Sequence, residues 1–285
     1  MNNLINVKNI CKEYPGFSLK NVSFHVPGGC IVGLIGENGA GKSTTIKAIL
    51  DMIHLDGGSI TVLGKDSHKE GDYIRENLGT VIDGASFHES LTPEQIRKFM
   101  CKIYKTWDDP YYISLLKRFS LPVHKKIGDF STGMKMKLLI STAIAHHPKL
   151  LILDEATSGL DPVVRDEILD MLLEFIHDEE HGVLMSSHIT SDLEKVADYI
   201  TFIHKGEVFL SDEKDRIMDS YGLVRCTPED FKKIPNAYVL GVNQGMYRMD
   251  VLISDRKGIK EAYPELVVDP IRLEDILIFK VKGDR

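Results

Sequence analysis

The spacing of apolar residues changes several times along the chain, and each change predicts an element. Leu4-Ile5-Asn6-Val7 and Leu19-Lys20-Asn21-Val22-Ser23-Phe24-His25-Val26 alternate apolar with polar and stop at Pro27-Gly28-Gly29. That pattern predicts two short strands of an antiparallel edge sheet closed by a turn. Cys30-Ile31-Val32-Gly33-Leu34-Ile35 is unbroken and of strand length, as expected of a strand buried on both faces. It leads through a glycine-rich loop into a helix that spaces Ile46, Ile49, Leu50 and Ile53 along one side. Residues 92–147 are mostly helical in pattern, with Thr92 placed as an N-cap and Pro93 in the first turn. Residues 150–153 and 183–186 are two further apolar strands joined by an amphipathic helix over 162–176. Strand, helix, strand with short connections predicts right-handed crossovers and a parallel sheet.

Beyond Tyr221-Gly222 the character changes. Residues 237–240 and 246–253 predict a hairpin around Asn243-Gln244-Gly245, flanked by short helices over 228–233 and 273–278. The expected layout is an α/β body over 1–222 and a small α+β accessory domain over 223–285. The sequence shows no internal repeat and no low-complexity segment.

Composition narrows the picture. With 43% apolar and 27% charged residues the chain matches soluble globular proteins and not disordered or fibrous ones. Its 285 residues suit one large domain or two smaller ones, with enough core to need no disulfide or metal staple. The balance of 35 basic against 42 acidic residues gives −7 and no basic cluster, which argues against a nucleic-acid partner. Cys11, Cys30, Cys101 and Cys226 are far apart and form no CxxC, a usage that fits buried thiols in a reducing cytosol. No window has a secretory leader's pattern or the run of about 18 apolar residues of a membrane span, so a soluble intracellular chain is expected.

Two segments carry chemistry. Gly36-Glu37-Asn38-Gly39-Ala40-Gly41-Lys42-Ser43-Thr44 matches G-x-x-x-x-G-K-[ST] between a buried strand and a helix, the context that marks a phosphate-binding P-loop. Its glycines let backbone N–H groups turn inward around a triphosphate while the helix presents its positive end. Lys42 is expected to reach the β- and γ-phosphates and the Ser43 hydroxyl to ligate Mg²⁺. In Leu150-Leu151-Ile152-Leu153-Asp154-Glu155 an apolar strand delivers two carboxylates to the sheet edge where ligands of open α/β sheets bind. Asp154 is expected to hold Mg²⁺, and Glu155 to be the base that orients the attacking water.

Over about residues 4–222 the chain resembles the ATP-binding cassette (ABC) ATPases that drive membrane transporters. Phe130-Ser131-Thr132-Gly133-Met134 stands where that family has LSGGQ, Ser158-Gly159-Leu160-Asp161 matches its D-loop, His188 its switch histidine, and Tyr14 its adenine-stacking aromatic. The resemblance implies a P-loop NTPase with a RecA-like parallel core, an N-terminal antiparallel β subdomain and a helical subdomain over about 84–147. It also implies two cassettes facing head to tail, homodimeric or heterodimeric, in which Ser131 and the Gly133 N–H complete the γ-phosphate site in trans.

Four positions depart from the family's pattern. Thr132 and Met134 replace a glycine and the glutamine of the signature, Asp83 stands where a glutamine usually meets Mg²⁺ and water, and Ala156 replaces the proline after the catalytic glutamate. Lys42, Glu155 and His188 remain, so ATP hydrolysis is expected. Trp107-Asp108-Asp109, the form of the signature and Leu273-Glu274-Asp275-Ile276 resemble the ABC-2 exporter branch, whose permease is usually a separate chain. The implied function is an ATPase subunit, peripheral on the cytoplasmic face of the membrane, that couples ATP-driven dimer closure to a permease for export. The alternatives are a soluble ABC ATPase without a transport role and a weakly hydrolysing regulatory module, the latter suggested by Asp83 and Thr132.

Overall fold

The computed structural model describes residues 2–245 and 248–283. Strands β1 (Asn3–Tyr14) and β2 (Phe17–Pro27) form a long hairpin, and β3 (Ile31–Ile35) runs through the P-loop into helix α1 (Lys42–Ile49). There follow β4 (Gly57–Val62), β5 (Lys65–Asp66), α2 (Gly71–Glu76), β6 (Leu78–Val81), α3 (Pro93–Ile103), α4 (Asp109–Arg118) and α5 (Thr132–Ile144). Next come β7 (Leu150–Asp154), α6 (Pro162–Phe175), β8 (Gly182–Ser187), α7 (Thr190–Val196), β9 (Tyr199–His204), β10 (Glu207–Glu213) and α8 (Lys214–Ser220). The last part holds β11 (Gly222–Cys226), α9 (Pro228–Phe231), β12 (Val239–Gln244), β13 (Met249–Ile253), α10 (Arg256–Ala262), β14 (Val267–Pro270) and α11 (Leu273–Gly283).

These strands build three sheets. The antiparallel sheet β2-β1-β4-β5 covers one side of a six-stranded sheet ordered β10-β9-β3-β8-β7-β6, in which all neighbours are parallel except β9 and β10. Period-two alternation divides the core. Val32, Leu34, Ile152 and Leu184 face α1 and the antiparallel sheet, whereas Ile31, Ile35, Leu151, Leu153, Val183 and Met185 face the cluster built from α4, α5 and α6. Burial on both faces explains why β3, β7 and β8 read as continuous apolar runs. At about 1.5–3 kcal/mol for each fully buried aliphatic side chain, this double-sided packing fixes the sheet edge on which the site depends.

The third sheet, β12-β13-β11-β14, has a small core of its own around Val224, Val251, Ile253 and Ile259. Its opposite face supplies Leu223 and Leu252, which join Leu273, Ile276 and Phe279 of α11 in the main core. The C-terminal part is thus packed onto the body through that face.

Several expectations need correction. Helix α1 ends at Ile49, so Ile53 is not on it. Asp51 adopts φ +54°, its N–H donates to Ala48 O and the Met52 N–H to Lys47 O, an arrangement that stops the helix with an aspartate in the place usually held by glycine. Ile53 still packs on the core shared with α1. The C-terminal hairpin reverses later than the Asn-Gln-Gly signal suggested, because Gln244 pairs with Met249 and the loop begins at Gly245. Met246, predicted to open its second strand, lies outside the described residues. The first strand is longer than its alternation shows, since register shifts around Asn9 (φ +48°) interrupt the period. Of the cysteines, Cys30 and Cys226 are buried and burial pushes their thiols up, but Cys101 is exposed on α3 and Cys11 is half-buried. Among the described residues no helix is long and apolar enough to cross a membrane.

Candidate functional site

The P-loop leaves β3 at the C-terminal edge of the central sheet and closes onto α1. A side chain at Gly36 would meet the Ile203 carbonyl oxygen at 2.5 Å, so only glycine lets the loop pass β9. Gly41 has φ +115°, a conformation that L side chains rarely adopt, and the Thr45 hydroxyl donates to its carbonyl at 2.9 Å. The loop is tied from outside as well. The Gly206 N–H donates to Ala40 O at 2.9 Å, and the buried His204 ring lies 2.9 Å from the Glu37 carboxylate.

Lys42 is almost fully buried. Its ammonium donates to Gly36 O at 2.8 Å and Glu37 O at 3.3 Å and pairs with Glu155 Oε1 at 3.1 Å. The other Glu155 oxygen accepts from His188 Nδ1 at 2.5 Å and from the His188 backbone N–H at 3.4 Å. Three groups from β3–α1, β7 and β8 are thereby joined into one chain of contacts, Lys42–Glu155–His188. Glu155 itself stands at φ +53°, a sparsely populated region that for a non-glycine residue costs of order 1 kcal/mol or more, and its N–H is held by Ser186 O at 3.2 Å and Ser186 Oγ at 3.1 Å. Neighbouring Asp154 is buried, with one carboxylate oxygen accepting from Ser186 Oγ at 2.5 Å.

The remaining predicted residues fall at or beside this edge. Ser43 and Thr44 are half-buried in the first turn of α1, and Asp83 is exposed two residues past β6, on the same edge as Asp154. Tyr14 ends β1 at 42% exposure and lines a hollow of about 440 Å³ with Phe17, Asn38 and Gly39. Ser131 is the N-cap of α5, accepting from the Met134 N–H at 3.2 Å, and Gly133 is buried against Val164 of α6, 3.2 Å from where a Cβ would sit. Asp161 caps α6 through the Val163 and Val164 N–H groups. The signature and D-loop segments are therefore packed together at the starts of two helices, and among the described residues no hydrogen bond or ion pair joins Ser131 or Gly133 to the Lys42–Glu155–His188 chain.

Sequence reasoning missed Ser186 and His204. Ser186 aligns both carboxylate-bearing residues, yet a serine inside an apolar strand gives no signal until strand order places β8 beside β7. His204 ends an apolar strand and reads as a packing residue; only the return of β9 along the P-loop gives it Glu37 as a neighbour. Arg165 likewise anchors the D-loop, donating to Leu160 O at 3.2 Å while lying 3.7 Å from buried Asp192, whose carboxyl is pushed up by burial.

Comparison with known proteins agrees with this geometry. The family model described as ABC transporter matches residues 19–158. The ABC transporter ATP-binding protein YdbJ of Bacillus subtilis is 34% identical over 192 residues, which cover 67% of this chain and 62% of that protein. YtrB of the same organism, another ABC transporter ATP-binding protein, is 27% identical over 301 residues covering 99% of both chains. The bacitracin transport ATP-binding protein BcrA of Enterococcus faecalis is 32% identical over 211 residues, 73% of this chain and 68% of that one. A solved ATP-binding subunit of an ABC transporter superposes with TM-score 0.67 at 30% identity over 75% of this chain and 91% of its own. With the P-loop, the paired carboxylates and the cassette architecture in place, the chain belongs to the ABC transporter family, as an ATP-binding subunit with ATPase activity coupled to transport.

Proposed function

We propose that the chain binds Mg-ATP at the edge formed by the P-loop, β7 and β8, hydrolyses it between two facing cassettes, and passes the closure to a separate permease that exports its substrate. The Lys42–Glu155–His188 contact chain carries this reading, because it holds a cation for phosphate, a carboxylate base and an imidazole within hydrogen-bond reach of one another. On phosphate binding Lys42 exchanges the Glu155 carboxylate for the β- and γ-phosphate oxygens. Glu155 is then free to accept a hydrogen bond from the attacking water, and His188 keeps it oriented. Glu37, Asn38, Gly39, Ala40, Gly41 and Thr44 offer backbone donors around the phosphates, and Tyr14 offers its ring to adenine.

Ser43, Asp83 and Asp154 would hold Mg²⁺. Their hydroxyl and carboxylate oxygens are the hard donors this ion prefers, and the buried Asp154 carboxylate already has one oxygen fixed by Ser186. Bound there, the ion would neutralise charge on the β- and γ-phosphates. Ser131 and Gly133 are assigned to the nucleotide of the partner cassette, whether an identical copy or a different chain, since they stand at a helix start with no hydrogen bond, among the described residues, to this chain's own P-loop.

The docking face for the permease is placed at a hollow of about 750 Å³ lined by Met52, Tyr73, Arg75, Ile82, Ile103 and Tyr104. Met52 and Ile103 are 57% and 59% exposed there, apolar surface suited to a helix end from a membrane protein. The hollow lies where the end of α3 meets α1 and α2. Export, and a position on the cytoplasmic face of the membrane, are part of this proposal, and the likeness to a bacitracin transport ATP-binding protein supports the transport role. Residues 223–285 are assigned as an accessory domain. No observation favours a soluble, non-transport role.

Affinity capture of the tagged chain from detergent-solubilised membranes tests this reading. The chain should retain a polytopic membrane protein, and the captured complex should hydrolyse ATP at a rate that Lys42→Ala lowers at least about 100-fold. Capture without any membrane protein, with turnover equal to that of Lys42→Ala, would overturn it.

A further inference from the structure

We propose that His177, Asp178 and His181 form a binding site for a zinc-like divalent cation on the connection between α6 and β8, at the end of the central sheet opposite the nucleotide edge. Each of the three side chains offers a ligand atom, and these atoms lie within 4.8 Å of one another. Their hydrogen-bond arrangement makes the trio more than a polar surface cluster. The His177 Nδ1–H donates to the Phe175 carbonyl at 3.3 Å, a bond in which the carbonyl can only accept. That leaves Nε2 as the ligand nitrogen, and it faces the Asp178 Oδ2 oxygen at 3.1 Å. A ring nitrogen and a carboxylate oxygen at that separation share a proton or a cation. A backbone carbonyl fixing the far nitrogen of a histidine is also the outer-shell arrangement that orients metal-binding imidazoles.

The third ligand atom, His181 Nδ1, is hydrogen-bonded to Asp178 Oδ1, and an ion would displace the proton between them. His181 Nδ1 lies 2.7 Å from Asp178 Oδ1, and cis ligands about 2.1 Å from a common ion sit roughly 3.0–3.4 Å apart, so the trio needs to open only slightly. The loop is rigidly held for its length. Asp178 Oδ1 accepts the N–H groups of Glu180 (2.8 Å) and His181 (3.2 Å), the Gly29 N–H donates to His181 O at 2.7 Å, and Lys149 pairs with Glu180 at 2.7 Å.

Two imidazoles and one carboxylate select the class of ion. They suit Zn²⁺, Ni²⁺ or Co²⁺ and leave Mg²⁺ and Ca²⁺, which require oxygen ligands, to the nucleotide edge. His181 and His188 are separated by the length of β8, roughly 20 Å at about 3.3 Å per residue, so this ion takes no part in hydrolysis. It would instead brace the connection that joins α6, which starts at the D-loop, to β8, which ends at His188.

The test uses the purified full chain, stripped with a chelator and titrated with Zn²⁺ alone in the absence of nucleotide. One Zn²⁺ should bind per chain with micromolar affinity, raising Tm by a few degrees. His177→Ala and His181→Ala should each weaken that binding at least about tenfold, and millimolar Mg²⁺ should not displace the ion. Loading with Co²⁺ should give a visible absorption band that both variants lose. ATP binding should be unchanged in both, which confirms that they fold. The proposal is overturned if the wild-type chain takes up no Zn²⁺ at micromolar concentration, or if the His177→Ala/His181→Ala double variant binds it as the wild type does, the trio then being a hydrogen-bonded turn and nothing more.

Discussion

Ser186 shows how one hydroxyl organises two carboxylate residues. It donates to Asp154 Oδ1 while accepting the N–H of Glu155, so it sets the height of the first carboxylate and supports the positive φ of the second. Replacing it with alanine leaves a buried carboxylate oxygen and a strained N–H less well satisfied. Ser186→Ala should therefore cost about 1–3 kcal/mol in urea unfolding and weaken Mg²⁺-dependent nucleotide binding by about 10–100-fold, measured by fluorescent-nucleotide titration. Unchanged stability and affinity would show that the strand alone positions the two acids. The residues that carry recognisable chemistry, Lys42 and Glu155, were legible because their motifs are contiguous in sequence. Ser186 was not, since it stands 32 residues from Asp154 and becomes its neighbour only through the β7–β8 pairing.

Among the elements, α3 was read at its correct start because its cap is complete in local sequence. The Thr92 hydroxyl accepts the Gln95 N–H at 3.3 Å while the Gln95 side chain accepts the Thr92 N–H at 2.9 Å, with Pro93 following in the first turn. Thr92→Ala should lower stability by about 1 kcal/mol without changing ATP binding, a shift that chemical denaturation resolves. Elements whose ends depend on distant packing were less legible. Helix α1 stops because Asp51 turns left-handed, which no glycine announces. Strand β4 begins Gly57-Gly58-Ser59, a turn-like opening that pairs with β1 only because Cys11 and Lys8 lie opposite. The strands β11 and β14 are short and gain their place from pairing, β11 between β13 and β14 and β14 on β11.

On the scale of the whole molecule, the central sheet separates two cores and the buried histidine beneath its β6 edge couples stability to pH. His146 is 1% exposed and stacks on Tyr104 at 3.9 Å, and burial pushes its pKa down from 6.5 to about 4. Between those values the unfolded chain binds a proton that the native chain does not, so stability falls as pH drops from 6.5 toward 4. The loss approaches about 3 kcal/mol at the lower end, as an order of magnitude. His146→Phe, which keeps the stacked ring and removes the proton site, should flatten that part of the stability–pH curve in denaturant titrations; an unchanged curve would assign the slope to other groups.

The hydrolytic role of Glu155 at this edge is tested most directly by the variant Glu155→Gln, which keeps the shape of the side chain and removes its basicity. In Mg-ATP, size-exclusion chromatography with bound-nucleotide analysis should find the variant accumulating as an ATP-loaded dimer, with turnover reduced at least about 100-fold. Turnover at the wild-type rate, with ADP released and no ATP-bound dimer, would contradict the assignment of Glu155 as the base.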